Sequence, residues 1–187
     1  MGGRKLLVII SGAPGAGKTT LARRLGEQLS IPVLSKDRIK EAMGEHFPEI
    51  DLGLSRQLGR AAFEVLYAMA AEVLGASSVI IEGNFQHGYS EEDIRPLLHL
   101  AEACELNCQL AAELCVERYA LRTQSGQRHR VHLDALRLSV LEEGLQRGLY
   151  APLELDTPRL IVDTSEGYTP ELESVVEFVR GLMVRAG

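Results

Sequence analysis

Residues 12–19 read Gly12-Ala13-Pro14-Gly15-Ala16-Gly17-Lys18-Thr19 and match the pattern G-x-x-x-x-G-K-[ST] in full. Glycines let such a loop turn its backbone N–H groups toward phosphate oxygens, and the helix that follows adds the positive end of its dipole. A lysine here places a cation at the β- and γ-phosphates, and the Thr19 hydroxyl is suited to coordinate Mg²⁺. The segment therefore predicts a P-loop, whose nucleotide-contacting residues are Gly12, Ala13, Pro14, Gly15, Ala16, Gly17, Lys18, Thr19 and Thr20.

The sequence around this loop supplies the context that the motif requires. Residues 6–10 form a continuous apolar run typical of a strand covered on both faces, and residues 19–29 carry apolar side chains at helical spacing. The alternative interpretation is a glycine turn that merely joins a strand to a helix. The glycines follow the order G-x-x-G-x-G rather than G-x-G-x-x-G, so a nicotinamide cofactor is not expected.

The rest of the chain alternates apolar runs with helical patterns. Further strands are predicted at residues 31–34, 79–81, 107–111 and 160–162, and helices at 36–43, 93–103, 115–148 and from 169 onward. Residues 44–55 read as a loop, and core packing is predicted for a helical stripe of Leu58, Ala62, Val65, Leu66, Met69 and Val73. This order predicts one α/β domain over residues 1–187 with the three-layer P-loop NTPase fold, a five-stranded parallel sheet with helices on both faces.

Composition limits the classes of partner. The net charge of -6 argues against a partner bound through a nucleic-acid backbone, because counterion release needs clustered cations. No stretch approaches the ~20 apolar residues that span a bilayer, and no signal peptide opens the chain, so we expect a cytoplasmic protein. Cys104, Cys108 and Cys115 lack a second ligand pair at zinc spacing and are predicted to be free, buried thiols.

Two carboxylates follow predicted strands and are candidates for the chemistry. Asp37 lies just past the second strand, where it can orient an acceptor hydroxyl and take its proton, or simply cap the helix that follows. Glu82 ends the third strand and is predicted, with Thr19, to serve the metal by holding a magnesium-bound water. Glu82 is alternatively the base or a structural partner of Arg38, and Asn84 is a possible hydrogen-bond partner of the substrate.

An arginine-rich segment at about residues 115–133 is predicted to form a helical lid. Arg118 and Arg122 lie four residues apart on one helical face, and Arg128 follows a turn at Ser125-Gly126. Arginines on a closing lid can stabilise the charge on a transferring phosphoryl group while water is excluded. The alternative is a solvated, salt-bridged helix face. His129 and His132 are expected to form hydrogen bonds within the lid rather than a metal site.

These motifs resemble those of small P-loop kinase-like proteins of the AAA-type ATP-binding group. The group is similar to chloramphenicol phosphotransferases, zeta-type toxins and the kinase part of polynucleotide kinases. The resemblance covers nearly the whole chain and is carried by residues 12–20, 35–41, 79–85, 117–122 and 127–132. It implies that Asp37 is the base, that Arg118, Arg122 and Arg128 are lid arginines, and that residues 163–165 lie near the nucleotide base. Glu82 departs from the aspartate that relatives often carry.

The sequence therefore predicts a Mg²⁺-dependent kinase with Lys18, Asp37 and the lid arginines in its active site. The γ-phosphoryl group of ATP, or of GTP, would pass to a hydroxyl of a small molecule such as an antibiotic, a nucleoside or a sugar. We expect the acceptor to bind between residues 38–60 and 84–90. The rival hypotheses are a regulatory module with slow nucleotide hydrolysis and a toxin-like kinase of sugar nucleotides. The sequence sets no oligomeric state.

Overall fold

The computed structural model describes residues 5–125 and 129–185. Its strands are β1 (Leu6–Gly12), β2 (Val33–Ser35), β3 (Val79–Glu82), β4 (Glu102–Gln109) and β5 (Arg159–Asp163). Its α-helices are α1 (Lys18–Leu29), α2 (Lys36–Gly44), α3 (Leu52–Ala76), α4 (Glu91–Leu98), α5 (Ala112–Gln124), α6 (Leu138–Gln146) and α7 (Leu172–Arg185). Short 3₁₀ turns lie at Arg130–His132 and Asp134–Leu136.

All strands pair in parallel in the order β2-β3-β1-β4-β5, which confirms the predicted P-loop α/β fold. β1 lies at the centre and is buried along its whole length. Its alternate side chains enter two cores, because successive residues of a strand point to opposite faces. Val8 packs with α1 and α7 on one face, and Ile9 packs with α3 and α4 on the other. The continuous apolar run of β1 is thus explained by helices on both faces.

The register of the sheet brings several loops together at one edge. Ser35 pairs with Glu82, and Glu82 in turn lies beside Ile10 near the end of β1. The P-loop, the start of α2 and the segment after β3 therefore all begin at the carboxyl edge of the sheet, where open parallel sheets bind their ligands.

Two predicted boundaries around β4 are wrong. The helix predicted for residues 93–103 ends at Leu98, and the strand predicted to begin at residue 107 begins at Glu102. The early residues of β4 look unlike a buried strand because they include the fully buried Glu105. Its charge is accommodated by Arg159 from β5, whose Nε lies 2.6 Å from a Glu105 carboxylate oxygen.

The long helix α3 also differs from the prediction. It begins at Leu52, inside the segment predicted as a loop, where the Asp51 side chain accepts a hydrogen bond from the Leu54 N–H at 2.7 Å. Val65 and Met69, predicted in the core, are 38% and 44% exposed. The buried stripe runs at spacings of three and four residues through Ser55, Leu58, Ala62, Leu66, Ala70 and Leu74. Val65 and Met69 lie beside this stripe, on the outer face.

No helix within residues 5–125 and 129–185 has both the length and the uninterrupted apolar surface of a membrane span.

Candidate active site

The P-loop leaves β1 at Gly12 and enters α1 at Lys18. Gly12 has φ +130°, and a Cβ there would lie 2.3 Å from the backbone oxygen of Cys108. Gly15 has φ +90°, and its Cβ would lie 2.9 Å from the backbone oxygen of Cys115. Only glycine combines these conformations with such close approach to β4 and α5. The loop is therefore folded tightly against its neighbours, in the manner that a phosphate cradle requires.

Lys18 is the first residue of α1, and only 7% of it is exposed. Its Nζ donates to the backbone oxygen of Ala13 at 2.8 Å, so the ammonium group lies within the curve of the loop. Burial lowers the pKa of Lys18, while the negative charges of Glu82 and Asp37 oppose that effect. Gly17 caps α1 without a side-chain hydrogen bond, which leaves the positive end of the helix directed at the loop.

Thr19 and Glu82, the two residues predicted to serve a metal, are brought together. The Thr19 Oγ1 donates to Glu82 Oε1 at 3.2 Å. Ser35, which sequence reasoning did not select, donates from its Oγ to Glu82 Oε2 at 2.7 Å. Burial raises the pKa of Glu82, and the Lys18 charge and these two hydroxyl groups oppose the rise. The bonds to Thr19 and Ser35 give Glu82 closer partners than the suggested Arg38.

Asp37 lies in the first turn of α2 and lines the same cleft as the P-loop. The N-cap of α2 is Ser35, so Asp37 does not occupy the capping position that was considered for it. Its Oδ1 lies 3.3 Å from Nζ of Lys36, whose ammonium group also lies 5.3 Å from the ring centre of Phe63. Asp37 therefore lines the cleft with the buried Lys36 beside it.

The predicted lid arginines divide into two that are placed and one that is not. Arg118 donates from Nη1 to the backbone oxygen of Thr164 at 3.0 Å and from Nη2 to that of Ser165 at 2.8 Å. Arg122 lies 5.5 Å from the ring centre of Tyr119, and both arginines line the cleft. Arg128 falls outside the described residues. Residues 164–165, predicted near the nucleotide base, therefore contact an arginine of the cleft without lining the cleft themselves.

The second half of the predicted lid is docked on α2. Nε2 of His129 lies 2.9 Å from an oxygen of Glu45, and Nε2 of His132 lies 2.9 Å from an oxygen of Glu41. The predicted hydrogen bonding within the lid is confirmed for His129, whose Nδ1 accepts from the Val131 N–H at 3.1 Å. Both histidines also bond outside the lid, to Glu45 and Glu41. The backbone oxygen of Val131 accepts from the buried Ser55 hydroxyl at 2.6 Å, which also ties this segment to α3.

Several residues of the cleft were not selected from the sequence as active-site residues. Tyr119 donates to Asp134 at 2.8 Å, and both line the cleft together with Lys36, His132, Arg137, Val140, Leu141 and Tyr150. Of the segments predicted to hold the acceptor, 38–60 and 84–90, only Asn84 lines it. Asp134 and Arg137 could have been found from the sequence, because they are charged residues directly after the arginine-rich segment. Val140 and Leu141 of α6 form an apolar wall of the cleft. No sequence pattern distinguishes them from ordinary core residues.

The cysteines are free and buried, as predicted. Burial raises the pKa of Cys104 and of Cys108 to about 12, and it raises the pKa of Cys115. A thiol with so high a pKa is a weak nucleophile near neutral pH. The three cysteines belong to the core beside β1 and α1, and none of them lines the cleft.

Taken together, the fold and the cleft define a P-loop protein of the kinase-like class. The AAA_33 family model, described as AAA domain, matches residues 7–144. The chain belongs to this family.

Several proteins that this chain is similar to are named as kinases. A candidate kinase from Chloroflexus aurantiacus J-10-fl is 33% identical, with a TM-score of 0.82 over 95% of this chain and 98% of that chain. Cytidylate kinase from Pyrobaculum islandicum is 28% identical over 170 residues, 86% of this chain and 84% of that protein. Shikimate kinase from Acinetobacter baumannii shares the fold. It is 16% identical, with a TM-score of 0.53 over 97% of this chain and 94% of that chain.

Proposed function

We propose that the protein is a Mg²⁺-dependent phosphotransferase that moves the γ-phosphoryl group of ATP, or of GTP, to a hydroxyl of a small molecule. The observation that carries this proposal is the convergence of Lys18, Thr19, Glu82 and Asp37 on one cleft at the carboxyl edge of the sheet. The first three serve the donor and its metal, and Asp37 faces them from α2, where an acceptor would approach.

The residues present fit a nucleotide with its magnesium ion. Thr19 and Glu82 offer a hydroxyl and a carboxylate, the hard oxygen groups that Mg²⁺ prefers, within hydrogen-bond distance of each other. The P-loop glycines allow the backbone to approach phosphate closely. When bound, Mg²⁺ neutralises charge on the β- and γ-phosphates. Lys18 holds the donor from within the loop, and Arg118 and Arg122 add cationic groups across the cleft.

Asp37 favours a hydroxyl acceptor over a phosphate acceptor. A hydroxyl must lose its proton as it attacks, and a carboxylate on the acceptor side can orient it and take that proton. A phosphate acceptor is already ionised near neutral pH, and a carboxylate facing it would repel it. The cytidylate kinase likeness supports a kinase, but Asp37 supports an alcohol such as an antibiotic, a nucleoside or a sugar as acceptor. The wall of Val140 and Leu141 supports an acceptor with some apolar surface.

The test is a screen of donors and hydroxyl compounds with mass detection of the phosphorylated product, followed by Asp37→Asn. We expect this variant to reduce transfer by roughly 10²–10⁴-fold, the usual contribution of a positioned base, while nucleotide affinity stays within about twofold. Asp51→Asn is the matched control, because asparagine caps a helix as well as aspartate does.

Two results would change the proposal. If Asp37→Asn transfers phosphate at the wild-type rate, Glu82 becomes the candidate base. If no compound in the screen stimulates ADP release above a slow background, the regulatory nucleotide-binding module replaces the kinase. A toxin acting on a sugar nucleotide would perform the same reaction and would arrest the growth of the host when expressed.

A further inference from the structure

Ser35 and Glu82 end two neighbouring parallel strands and are paired in register. Their side chains lie on the same face of the sheet, and only 7% of Ser35 and 3% of Glu82 are exposed. The Ser35 Oγ donates to Glu82 Oε2 at 2.7 Å, while Thr19 Oγ1 donates to Glu82 Oε1 at 3.2 Å. Each carboxylate oxygen of Glu82 therefore has its own hydroxyl partner, one from β2 and one from α1.

This arrangement restricts both the carboxylate and the Thr19 hydroxyl. A glutamate side chain has three rotatable bonds, and an anchor on one oxygen limits the orientation of the other. Because Ser35 holds Oε2, Oε1 remains directed at Thr19 and accepts a hydrogen bond from its hydroxyl. A threonine hydroxyl that donates in this direction turns its lone pairs away from Glu82 and is then suited to bind a cation. The same hydroxyl without that acceptor is free to rotate.

We propose that Ser35 is a positioning residue of the cation site, acting through Glu82 on Thr19. The proposal rests on the proposed function, since it takes Thr19 and Glu82 as the residues that serve Mg²⁺. Ser35 does not line the cleft, so it would act without a contact of its own to the nucleotide. Its hydroxyl restricts a glutamate side chain, which has one more rotatable bond than an aspartate side chain.

The chain offers a matched control for the loss of a buried hydroxyl. Ser55 is fully buried in α3, donates to the backbone oxygen of Val131 at 2.6 Å and accepts from Nζ of Lys40 at 2.9 Å. Ser55→Ala removes a hydroxyl with similar burial and a similar bond length, but from a position outside the cleft lining. Ser35→Thr keeps the hydroxyl at the tested position.

The experiment titrates Mn²⁺ into the full-length protein saturated with a non-hydrolysable ATP analogue and follows free Mn²⁺ by electron paramagnetic resonance. We expect Ser35→Ala to weaken Mn²⁺ binding by about 10-fold or more, the usual effect of losing an outer-shell partner of a metal site. We expect Ser35→Thr and Ser55→Ala to stay within about threefold of wild type on the same grounds. Affinity for the metal-free analogue in EDTA should be unchanged in all variants, and thermal melting confirms that each is folded.

The outcomes separate this proposal from the function it rests on. Wild-type Mn²⁺ affinity in Ser35→Ala, or an equal loss in Ser55→Ala, overturns the role of Ser35 and leaves the kinase proposal intact. A wild-type protein that binds the analogue but retains no Mn²⁺ overturns the metal assignment itself, and the role of Ser35 with it. None of these readouts depends on finding the acceptor.

Discussion

Gly12 occupies a position where backbone conformation and space both exclude a side chain. Its φ of +130° is rarely adopted by L-residues, and its Cβ would meet a backbone oxygen of β4, which cannot move as a flexible side chain can. We predict that Gly12→Ala destabilises the protein by about 3 kcal/mol, the scale of a strained backbone combined with a core clash. Chemical denaturation with a fluorescence or circular dichroism readout measures this difference.

Gly59→Ala is the matched control for that substitution. Gly59 lies inside α3, and a Cβ there would meet no atom within 4 Å. Because alanine favours a helix over glycine, we expect this variant to be more stable than wild type by about 0.5–1 kcal/mol. Equal stability of the two alanine variants would contradict the described conformation of the P-loop.

At the scale of elements, α2 connects the cleft to the segment after α5. Asp37 lies in its first turn, and its far end packs on residues 129–132. A Cβ on Gly44 would lie 2.7 Å from a side-chain atom of Val131, so the contact is close. The predicted lid is thus tied at this end to the helix that carries the candidate base, and movement of either one would affect the other.

Arg130 extends the docking of this segment to the connection between α2 and α3 and provides a test of that contact. Its guanidinium group donates to the backbone oxygens of Pro48 at 2.7 Å and Phe47 at 2.5 Å. We predict that Arg130→Ala lowers the free energy of unfolding by about 1 kcal/mol. This is less than the loss of a buried hydrogen bond to a charged group, because the bonds of Arg130 are exposed to solvent. Limited proteolysis should also cleave the connection between α2 and α3 faster in this variant, because the backbone oxygens of Phe47 and Pro48 lose the arginine that holds them.

Arg147→Ala is the control at the same scale. Arg147 makes an exposed ion pair with Glu143 at 3.4 Å along α6, and such pairs contribute at most about 0.5 kcal/mol. If Arg130→Ala and Arg147→Ala have the same stability and the same cleavage pattern, the contact of Arg130 with the connection between α2 and α3 does not stabilise the folded protein.

At the scale of the whole molecule, the net charge of the chain does not indicate the charge of the cleft. The chain carries a net charge of -6. Among the described residues, the cleft is nevertheless lined by more cations than anions, namely Lys18, Lys36, Arg118, Arg122 and Arg137 against Asp37, Glu82 and Asp134. A local excess of positive charge within an acidic chain suits a small polyphosphate, which needs only one cluster of cations, rather than a long nucleic-acid backbone.

The parts of this molecule that the sequence predicts are those set by local pattern. The P-loop and β1 are contiguous, and the position of Asp37 follows from the rule that parallel strands end at one edge. The start of β4 could not be predicted, because a strand that contains Glu105 does not look buried. Its partner Arg159, which forms an ion pair with it, lies 54 residues away in the chain. The pairing of Ser35 with Glu82 and of His132 with Glu41 likewise depends on long-range contacts that no spacing reveals.

Calorimetric titration of the purified protein with ATP and with GTP in the presence of magnesium measures whether the P-loop binds a polyphosphate. We expect saturable binding of one nucleotide per chain. We also expect at least about 10-fold weaker binding by Lys18→Ala, because loss of a charged contact to phosphate removes about 1.4 kcal/mol or more. If the folded wild-type protein binds neither nucleotide, residues 12–19 do not form a nucleotide site.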